Sequence, residues 1–267
     1  MNKSRLVYIA GAGRSGSTVL AKEISTLVGG ENIGEYFLML SRQYMFDSVL
    51  PCSCGKHARE CERYRNIFQQ AEVALQIPFI DKDTRIRRSL LSCNDKGTDY
   101  FNRLFEYLDI VLGSDAVVVD SSKTPGVLKY LVEKELLVIH LLRDPMDTIK
   151  SWSSTKGYLD KKGFFPSLHD WVFSNYLTLF FCKLHRVNYI RIKLEDLDRD
   201  GLIRALRKFG FEIDIEARAS ESHILAGNPD KFSSGGSVSI KNARTSTFEL
   251  SFFQKLLVRL VSWPLGY

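Results

Sequence analysis

The sequence of 267 residues predicts an α/β fold with a central parallel β-sheet flanked by helices. Short apolar runs alternate with stretches whose apolar residues recur at helical spacing. Two of these runs, 116–119 and 136–142, are almost continuously apolar, which is typical of strands buried on both faces of a parallel sheet. A glycine-rich turn also joins the first apolar run to the first helical stretch. Since hydrophobic residues make up 45% of the chain, we expect 1–267 to form a single domain.

Strands are predicted where apolar runs are short and bounded by polar or turn residues. They cover 5–10, 116–119, 136–142 and 187–192. Helices are predicted where apolar residues recur every three or four positions, or after a helix-starting proline. They cover 16–28, 33–49, 62–76, 98–112, the residues after Pro125, the residues from 145, 168–186, 196–209 and 247–262. Strands separated by helices form parallel sheets with right-handed crossovers, so ligands are expected at the carboxyl ends of the strands.

The turn after the first strand predicts a phosphate-binding loop. Backbone N–H groups and the positive end of a helix dipole point at one spot in such a turn. Two hydroxyls and one guanidinium add further donors for anionic oxygens. The candidate phosphate-binding residues are Gly13, Arg14, Ser15, Gly16, Ser17 and Thr18.

Two common nucleotide loops fit this turn incompletely. A dinucleotide loop needs an acidic residue that closes the second strand, and 31–37 does not have the pattern of a strand ending in an acid. A nucleoside-triphosphate loop needs a lysine after its last glycine, and Ser17 follows Gly16 here. A third type of loop carries an arginine inside the turn and no lysine after it.

A second motif follows the strand 136–142. Arg143 and Asp144 end the strand, and Pro145 begins a helix for which Asp144 is a suitable cap. Ser151 lies eight residues after Arg143, on that helix. An arginine at the strand end and a serine on the next helix can converge on one phosphate group.

The two motifs, in this order, resemble those of sulfotransferases that use 3′-phosphoadenosine 5′-phosphosulfate (PAPS). The resemblance implies a P-loop-like sulfotransferase architecture with PAPS as donor and 3′,5′-adenosine bisphosphate (PAP) as product. It also implies that 11–18 is the 5′-phosphosulfate loop, and that Arg143 and Ser151 hold the 3′-phosphate. P-loop-like kinase activity and nucleotide binding without turnover remain the alternatives.

Later segments extend this resemblance. Residues 120–123 look like the Asp-Ser-Ser-Lys turn of bacterial sulfotransferases, and 194–197 like their Tyr-Glu-Asp-Leu segment, with Leu194 replacing the tyrosine. Residues 227–232 resemble a late Gly-Asn-Pro-x-Arg loop, which implies nucleotide contacts from Asn228 and Lys231. Lys231 stands where this loop usually has arginine, and lysine cannot reproduce the bidentate phosphate contact of an arginine.

Sulfuryl transfer requires positive charge near the leaving oxygen and a base for the acceptor proton. Arg14, in the predicted phosphate-binding loop, and Lys123 are the predicted cations. A lysine just before a helix is unfavourable because its charge opposes the helix dipole, and this favours a functional role for Lys123. Glu35 resembles the glutamate base of tyrosylprotein and related sulfotransferases. The other interpretation of Glu35 is a carboxylate that stabilises a helix start. His140 lies inside an apolar strand and is expected to be buried. No metal is expected in the transfer, since the transferred group carries one negative charge.

The cysteines allow two interpretations. Cys52, Cys54 and Cys61, with His57, supply three thiolates and an imidazole for zinc, although their spacing is not a standard Cys-x-x-Cys pair. Their Cys-x-Cys-Gly…Cys pattern resembles a loop of many bacterial sulfotransferases, which favours a structural role. Cys54 and Cys61 can also pair under oxidising conditions.

Charge and hydropathy limit the partners and the location. A net charge of +6 suits an anionic ligand, and no basic stripe interleaved with aromatics predicts a nucleic-acid partner. No apolar run approaches the ~20 residues of a membrane span, and the first strand begins almost at once, so we expect a cytoplasmic protein. The final amphipathic helix is expected to pack on its own domain, with a dimer or peripheral membrane surface as the alternatives.

The acceptor is predicted only by class. Regions 34–92 and 154–170 are expected to form the acceptor wall, and their aromatic residues suit a carbohydrate, lipid-like or small phenolic molecule. These aromatics are Tyr36, Phe37, Tyr44, Phe46, Tyr158, Phe164 and Phe165.

Overall fold

The computed structural model describes residues 5–35, 52–56, 60–62, 65, 115–131, 135–154, 161–216, 223–224 and 249–267. Within these residues, five strands form one sheet in which every pairing is parallel, in the order β2-β3-β1-β4-β5. The strands are β1 (Arg5–Gly11), β2 (Glu31–Gly34), β3 (Val117–Lys123), β4 (Glu135–Leu142) and β5 (Asn188–Lys193). The predicted fold class, a parallel sheet flanked by helices, is confirmed.

Helices cover both faces of this sheet. They are α1 (Ser17–Leu27), α2 (Leu128–Leu131), α3 (Pro145–Ser153), α4 (Phe164–Leu184), α5 (Arg199–Lys208) and α6 (Phe252–Ser262). Short 3₁₀ helices occupy Pro125–Val127, Leu194–Asp196 and Trp263–Leu265.

Each face of the sheet buries its own apolar cluster. On one face, β1, β3 and β4 pack against α1 and α5 through side chains that include Val7, Ile9, Leu20, Ile24, Ile139 and Leu206. On the other, α4 contributes Trp171, which packs with Ala12, Leu142 and Leu265. Continuous apolar runs in β1 and β4 are therefore explained by burial on both sides.

The second strand was not predicted from the sequence. Helix 33–49 was expected, but 31–34 forms β2, with Glu31 and Asn32 opposite Val118 and Val119 of β3. This four-residue strand contains one large apolar residue, so its local pattern carries no strand signal, and the pairing with β3 supplies it. The rest of that prediction lies outside the described residues, as do the helix predicted at 98–112 and, except for residues 62 and 65, the helix predicted at 62–76.

The strand order bears on the dinucleotide alternative. Because β2 is a strand and Glu35 follows it, the reason given for rejecting that alternative, that no strand here ends in an acid, was wrong. However, β3 lies between β2 and β1. In a dinucleotide-binding fold the second strand lies next to the first, so the topology excludes that fold on a different ground.

Most other boundaries differ by a few residues. The strand expected to end at Asp120 continues to Lys123, and the register shifts so that Tyr8 faces Asp120 while Ala10 faces Lys123. Helix α4 begins at Phe164 rather than at 168.

Only a narrow face of helix α6 is buried against the described part of the protein. Val258 is fully buried beside Ile149 of α3, and Val261 packs on the same cluster. The larger apolar side chains of this segment are exposed: Phe252, Phe253, Leu256, Leu257, Leu260 and Trp263. The expectation that α6 packs its apolar face on its own domain is therefore wrong for most of these residues.

Candidate active site

The glycine-rich turn leaves the carboxyl end of β1 and leads into α1. Gly16 has φ 89° and stands at the N-cap, where its carbonyl accepts hydrogen bonds from the backbone of Val19 and Leu20. Arg14 also has a positive φ, 67°, which is unfavourable for a residue with a side chain. Within the described part of the turn no side chain caps α1, so the first amides of the helix can meet an anion.

Two of the glycines pack closely against neighbouring side chains. A Cβ atom on Gly13 would lie 2.8 Å from Cζ2 of Trp152, which follows Ser151 on α3. A Cβ on Gly16 would lie 3.0 and 3.3 Å from the two methyl carbons of Leu194. The turn is thus held against α3 on one side and against the segment after β5 on the other.

Hydrogen bonds join the two predicted phosphate motifs directly. Nε of Arg14 donates to Oγ of Ser151 at 3.1 Å. Nη1 of Arg143 donates to the backbone carbonyl of Arg14 at 2.8 Å. Residues that are more than 120 positions apart in the sequence therefore form one cationic corner at the ends of β1 and β4.

The start of α3 is held by its own aspartate cap and by a hydrogen bond to Glu195. Asp144 caps the helix by accepting hydrogen bonds from the backbone of Met146 and Asp147, as predicted. The backbone N–H of Asp144 donates to Oε1 of Glu195 at 2.8 Å, and the hydroxyl of Tyr267 donates to Oε2 of the same carboxylate at 2.9 Å. Glu195 and Tyr267 therefore position the turn that carries Arg143.

Glu35 and Lys123 form an ion pair at the ends of β2 and β3. Their side chains are 12% and 14% exposed, so Lys123 is not the surface lysine that a solvated helix start would carry. Nζ of Lys123 also donates to the carbonyl of Ser121 at 3.1 Å. Because Lys123 pairs with Ala10 in the sheet, the ion pair lies beside the strand end that leads into the predicted phosphate-binding loop.

Asp120 is a buried acid that the sequence did not single out. Its carboxylate accepts a hydrogen bond from the backbone of Ser122 at 2.7 Å. Burial raises the pKa of Asp120 to about 7, against the lowering effects of Ser122 and the charge of Lys123. The nearby Tyr8 hydroxyl donates to the carbonyl of Thr124, and burial together with the Asp120 charge raises the pKa of Tyr8. The only local clue to this group was the position of Asp120 at a strand end before two serines and a lysine.

The other residues considered for the site differ in burial, and two of them are not described. Ser15 and Ser17 are buried and Thr18 is half-buried, and Oγ of Ser15 has no hydrogen-bond partner among the described residues. Asn228 and Lys231 lie outside the described residues. His140 is buried as predicted, with Nε2 at 3.0 Å from the side-chain oxygen of Asn175.

The expected acceptor wall is described only in part. Phe164 belongs to the apolar cluster below α6, whereas Phe165 is exposed. The other five aromatics proposed for this wall lie outside the described residues.

The fold and the site together define an α/β protein with a glycine-rich turn after β1 and a second turn, which carries Arg143, after β4. No protein-family model and no curated protein matches the chain. Among the described helices, none is both long enough and apolar enough to cross a membrane.

Solved structures of sulfotransferases match the chain. A sulfotransferase domain of the curacin biosynthetic pathway is 16% identical, with a TM-score of 0.53, covering 100% of this chain and 99% of the other. The sulfotransferase domain of the Synechococcus PCC 7002 olefin synthase is 17% identical, with a TM-score of 0.58 and coverage of 100% and 96%. Sulfotransferase STF1 from Mycobacterium tuberculosis H37Rv is 14% identical, with a TM-score of 0.50 and coverage of 86% and 75%. The chain therefore has the fold of sulfotransferase domains.

Proposed function

We propose that the chain is a single-domain sulfotransferase that moves a sulfonate from PAPS to a hydroxyl or amine of an acceptor. The acceptor class is a carbohydrate, a lipid or another small molecule. The observation that carries the proposal is the pair of hydrogen bonds that join Arg14 to Ser151 and Arg143 to the Arg14 carbonyl. A donor with a 5′-phosphosulfate and a 3′-phosphate needs two anion sites close together, and these contacts support the assignment of those sites to the two motifs.

The donor phosphates divide between the two motifs. The 5′-phosphosulfate lies against the amides of 13–18, where the dipole of α1 and the Arg14 guanidinium stabilise its charge. The 3′-phosphate lies against Arg143 and Ser151. Asn228 and Lys231 are proposed as further nucleotide contacts on the basis of the sequence resemblance.

The transfer is an in-line displacement at sulfur. The acceptor oxygen or nitrogen forms a bond to sulfur while the bond from sulfur to the 5′-phosphate oxygen breaks, and the electron pair leaves with PAP. Glu35 takes the acceptor proton, and Lys123 stabilises the charge that develops on the leaving oxygen. The contact between Glu35 and Lys123 supports these roles because it joins a carboxylate and an ammonium group beside the strand end that leads into the glycine-rich turn.

Calorimetric titration of the purified chain with PAP, ATP and NAD tests the donor assignment. Tight binding of PAP alone supports it. Binding of ATP without PAP favours the kinase alternative, although Ser17 stands where a kinase loop has lysine. Binding of PAP with no turnover of labelled PAPS across carbohydrate, phenol and lipid acceptors favours a nucleotide-binding protein without catalysis.

Two variants separate donor binding from chemistry, once an acceptor is found. Arg14→Ala should lose both PAP binding and transfer. Glu35→Gln should keep PAP affinity close to that of the wild type while kcat falls by about 10²- to 10⁴-fold, as expected for loss of a general base.

The matched controls lie away from the site. Arg199→Ala removes an arginine that pairs with Glu23 on the helix surface, and Glu135→Gln removes an acid at the amino end of β4. Both should leave PAP binding and kcat unchanged. A Glu35→Gln variant with full kcat would contradict the role of Glu35 and leave the donor assignment intact.

A further inference from the structure

A cluster of metal-binding side chains lies outside the residues assigned to sulfuryl transfer. It consists of Cys52, Cys54, Cys61 and His223, whose sulfur and nitrogen atoms all lie within 4.8 Å of one another. Cys52 and Cys61 are buried, Cys54 is exposed, and none of the three forms a disulfide. The sequence suggested His57 as the imidazole of this group, but His57 lies outside the described residues and His223 occupies that position.

Two of the three short distances within the cluster match those of a tetrahedral zinc site, and the third is a few tenths of an ångström shorter. Zinc–sulfur bonds of about 2.3 Å and zinc–nitrogen bonds of about 2.0 Å place neighbouring ligand atoms roughly 3.5 to 3.8 Å apart. The sulfurs of Cys52 and Cys61 are 3.6 Å apart, far beyond the ~2.0 Å of a disulfide. Nδ1 of His223 lies 3.6 Å from the Cys52 sulfur and 3.1 Å from the Cys61 sulfur.

Backbone hydrogen bonds hold the ligands together. The N–H of Cys52 donates to the carbonyl of Lys56 at 2.7 Å, and the N–H of Gly55 donates to the carbonyl of Cys52 at 2.8 Å. Gly55 has φ 83°, a conformation that glycine adopts without strain. The resulting tight turn brings Cys52 and Cys54 to the same side.

A second set of hydrogen bonds brings His223 to this turn. The N–H of Ser53 donates to the carbonyl of Ile224 at 2.9 Å, and the N–H of Ile224 donates to Oγ of Ser53 at 2.8 Å. The fourth ligand is therefore fixed by hydrogen bonds between its neighbour Ile224 and Ser53, which lie 171 residues apart in the chain. This separation explains why the cysteine spacing alone does not look like a standard zinc motif.

We propose that Cys52, Cys54, Cys61 and His223 bind one Zn²⁺ ion as a closed structural site. Three thiolates and one imidazole favour zinc over the harder divalent cations, and four protein ligands leave no open position for catalysis. The ion fastens a segment that follows Glu35 in the sequence to the segment that precedes Asn228 and Lys231. The site is separate from the transfer chemistry, for which no metal is expected.

Metal analysis of the purified full chain tests this proposal without donor or acceptor, so its outcome is independent of the proposed function. We expect one zinc per chain by inductively coupled plasma mass spectrometry after purification without chelators. After replacement of zinc by Co²⁺, we expect visible ligand-field bands of a tetrahedral site and a thiolate charge-transfer band in the near ultraviolet.

Variants assign the ligands. Cys54→Ser changes an exposed ligand, and His223→Ala removes the imidazole, so each should reduce bound zinc and alter the Co²⁺ spectrum. His223→Cys supplies a fourth thiolate and should restore zinc binding. Cys182→Ala is the matched control, because Cys182 is a cysteine of α4 outside the cluster and should leave the metal content unchanged.

Three results would overturn the site. They are a zinc-free chain whose Co²⁺ spectrum is that of an octahedral ion, a disulfide among the three cysteines in the freshly purified protein, and full zinc retention in both ligand-removing variants. The Co²⁺ spectrum of the unmodified chain gives an answer even if a variant fails to fold.

Discussion

At the scale of single residues, the site is made of charges whose sequence signals differ in strength. Arg143 and Ser151 were predicted because a strand end, a capping aspartate and a fixed spacing are all local features. Glu35 was proposed from a resemblance, and its contact with Lys123 became visible only when β2 and β3 were placed side by side. Asp120 was missed, because its burial depends on strands that are distant in the sequence.

Asp120→Asn should change how stability depends on pH. In the folded protein burial raises the pKa of Asp120 to about 7, above its ordinary value of 3.8. Between these two pKa values the folded state therefore keeps a proton that the unfolded state has lost. The contribution of Asp120 to stability is fully present below about pH 4 and is lost as the pH rises through about 7. Asparagine can still accept the hydrogen bond from Ser122. From pH 5 to pH 8 the variant should gain on the order of 2 kcal/mol in unfolding free energy relative to wild type.

Urea denaturation at several pH values measures the difference in unfolding free energy between Asp120→Asn and wild type. His140 is expected to give a second pH dependence, of opposite sign, in both proteins. Burial lowers the pKa of His140 to about 4, so its contribution has the opposite sign and stability falls as the pH drops from 6.5 to 4. In wild type the two effects oppose each other. Asp120→Asn should expose the His140 dependence, and parallel pH profiles for variant and wild type would show that Asp120 ionises normally.

At the scale of elements, predictability follows the length and the burial of each segment. β1 and β4 were predicted because both faces of each strand are covered, which requires continuous apolar runs. The short β2 was not predicted, and its last two residues were included in the helix predicted at 33–49, because its four residues contain neither a run nor an alternation. The periodicity of α6 predicted a helix correctly but could not show which of its apolar residues would be covered.

Two substitutions in α6 should have very different effects on stability. Val258 is 0% exposed and packs beside Ile149, so Val258→Ala should lower the unfolding free energy by about 2 kcal/mol. Phe253 is 80% exposed, so Phe253→Ala should change it by less than about 0.5 kcal/mol.

Chemical denaturation at low and high protein concentration measures both substitutions. The Val258 effect should be the same at the two concentrations. A large cost for Phe253→Ala that grows with concentration would mean that a second copy covers this face of α6, and a large cost at every concentration would contradict the exposed position of Phe253.

At the scale of the whole molecule, the site depends on contacts between distant segments. The two motifs were predicted separately as phosphate-binding, but the hydrogen bonds between Arg14, Ser151 and Arg143 arise because β1 and β4 are neighbours in the sheet. Glu195 belonged only to the supporting match at 194–197. Its contacts with Asp144 and Tyr267 became visible from a chain of hydrogen bonds that no local pattern encodes.

The hydrogen bonds from Tyr267 to Glu195 and from Asp144 to Glu195 link the end of the chain to the turn that carries Arg143. Tyr267→Phe removes a hydroxyl that donates to a carboxylate, so we expect a loss of about 1 kcal/mol in unfolding free energy. We also expect a modest loss of PAP affinity, below about tenfold, because Glu195 keeps its bond to Asp144 and still positions the turn.

A double-mutant cycle of Tyr267→Phe with Glu195→Ala tests whether this contact is direct. The two effects on unfolding free energy should couple by about 0.5 kcal/mol or more, since each substitution removes the same hydrogen bond. Tyr176→Phe is the matched control, because its hydroxyl donates instead to the carbonyl of Val261 at 2.8 Å. It should lower stability to a similar extent, leave PAP affinity unchanged and show no coupling with Glu195→Ala. If Tyr267→Phe and Glu195→Ala were additive, the end of the chain would stabilise the fold through the packing of Tyr267 on Trp171 rather than through the carboxylate.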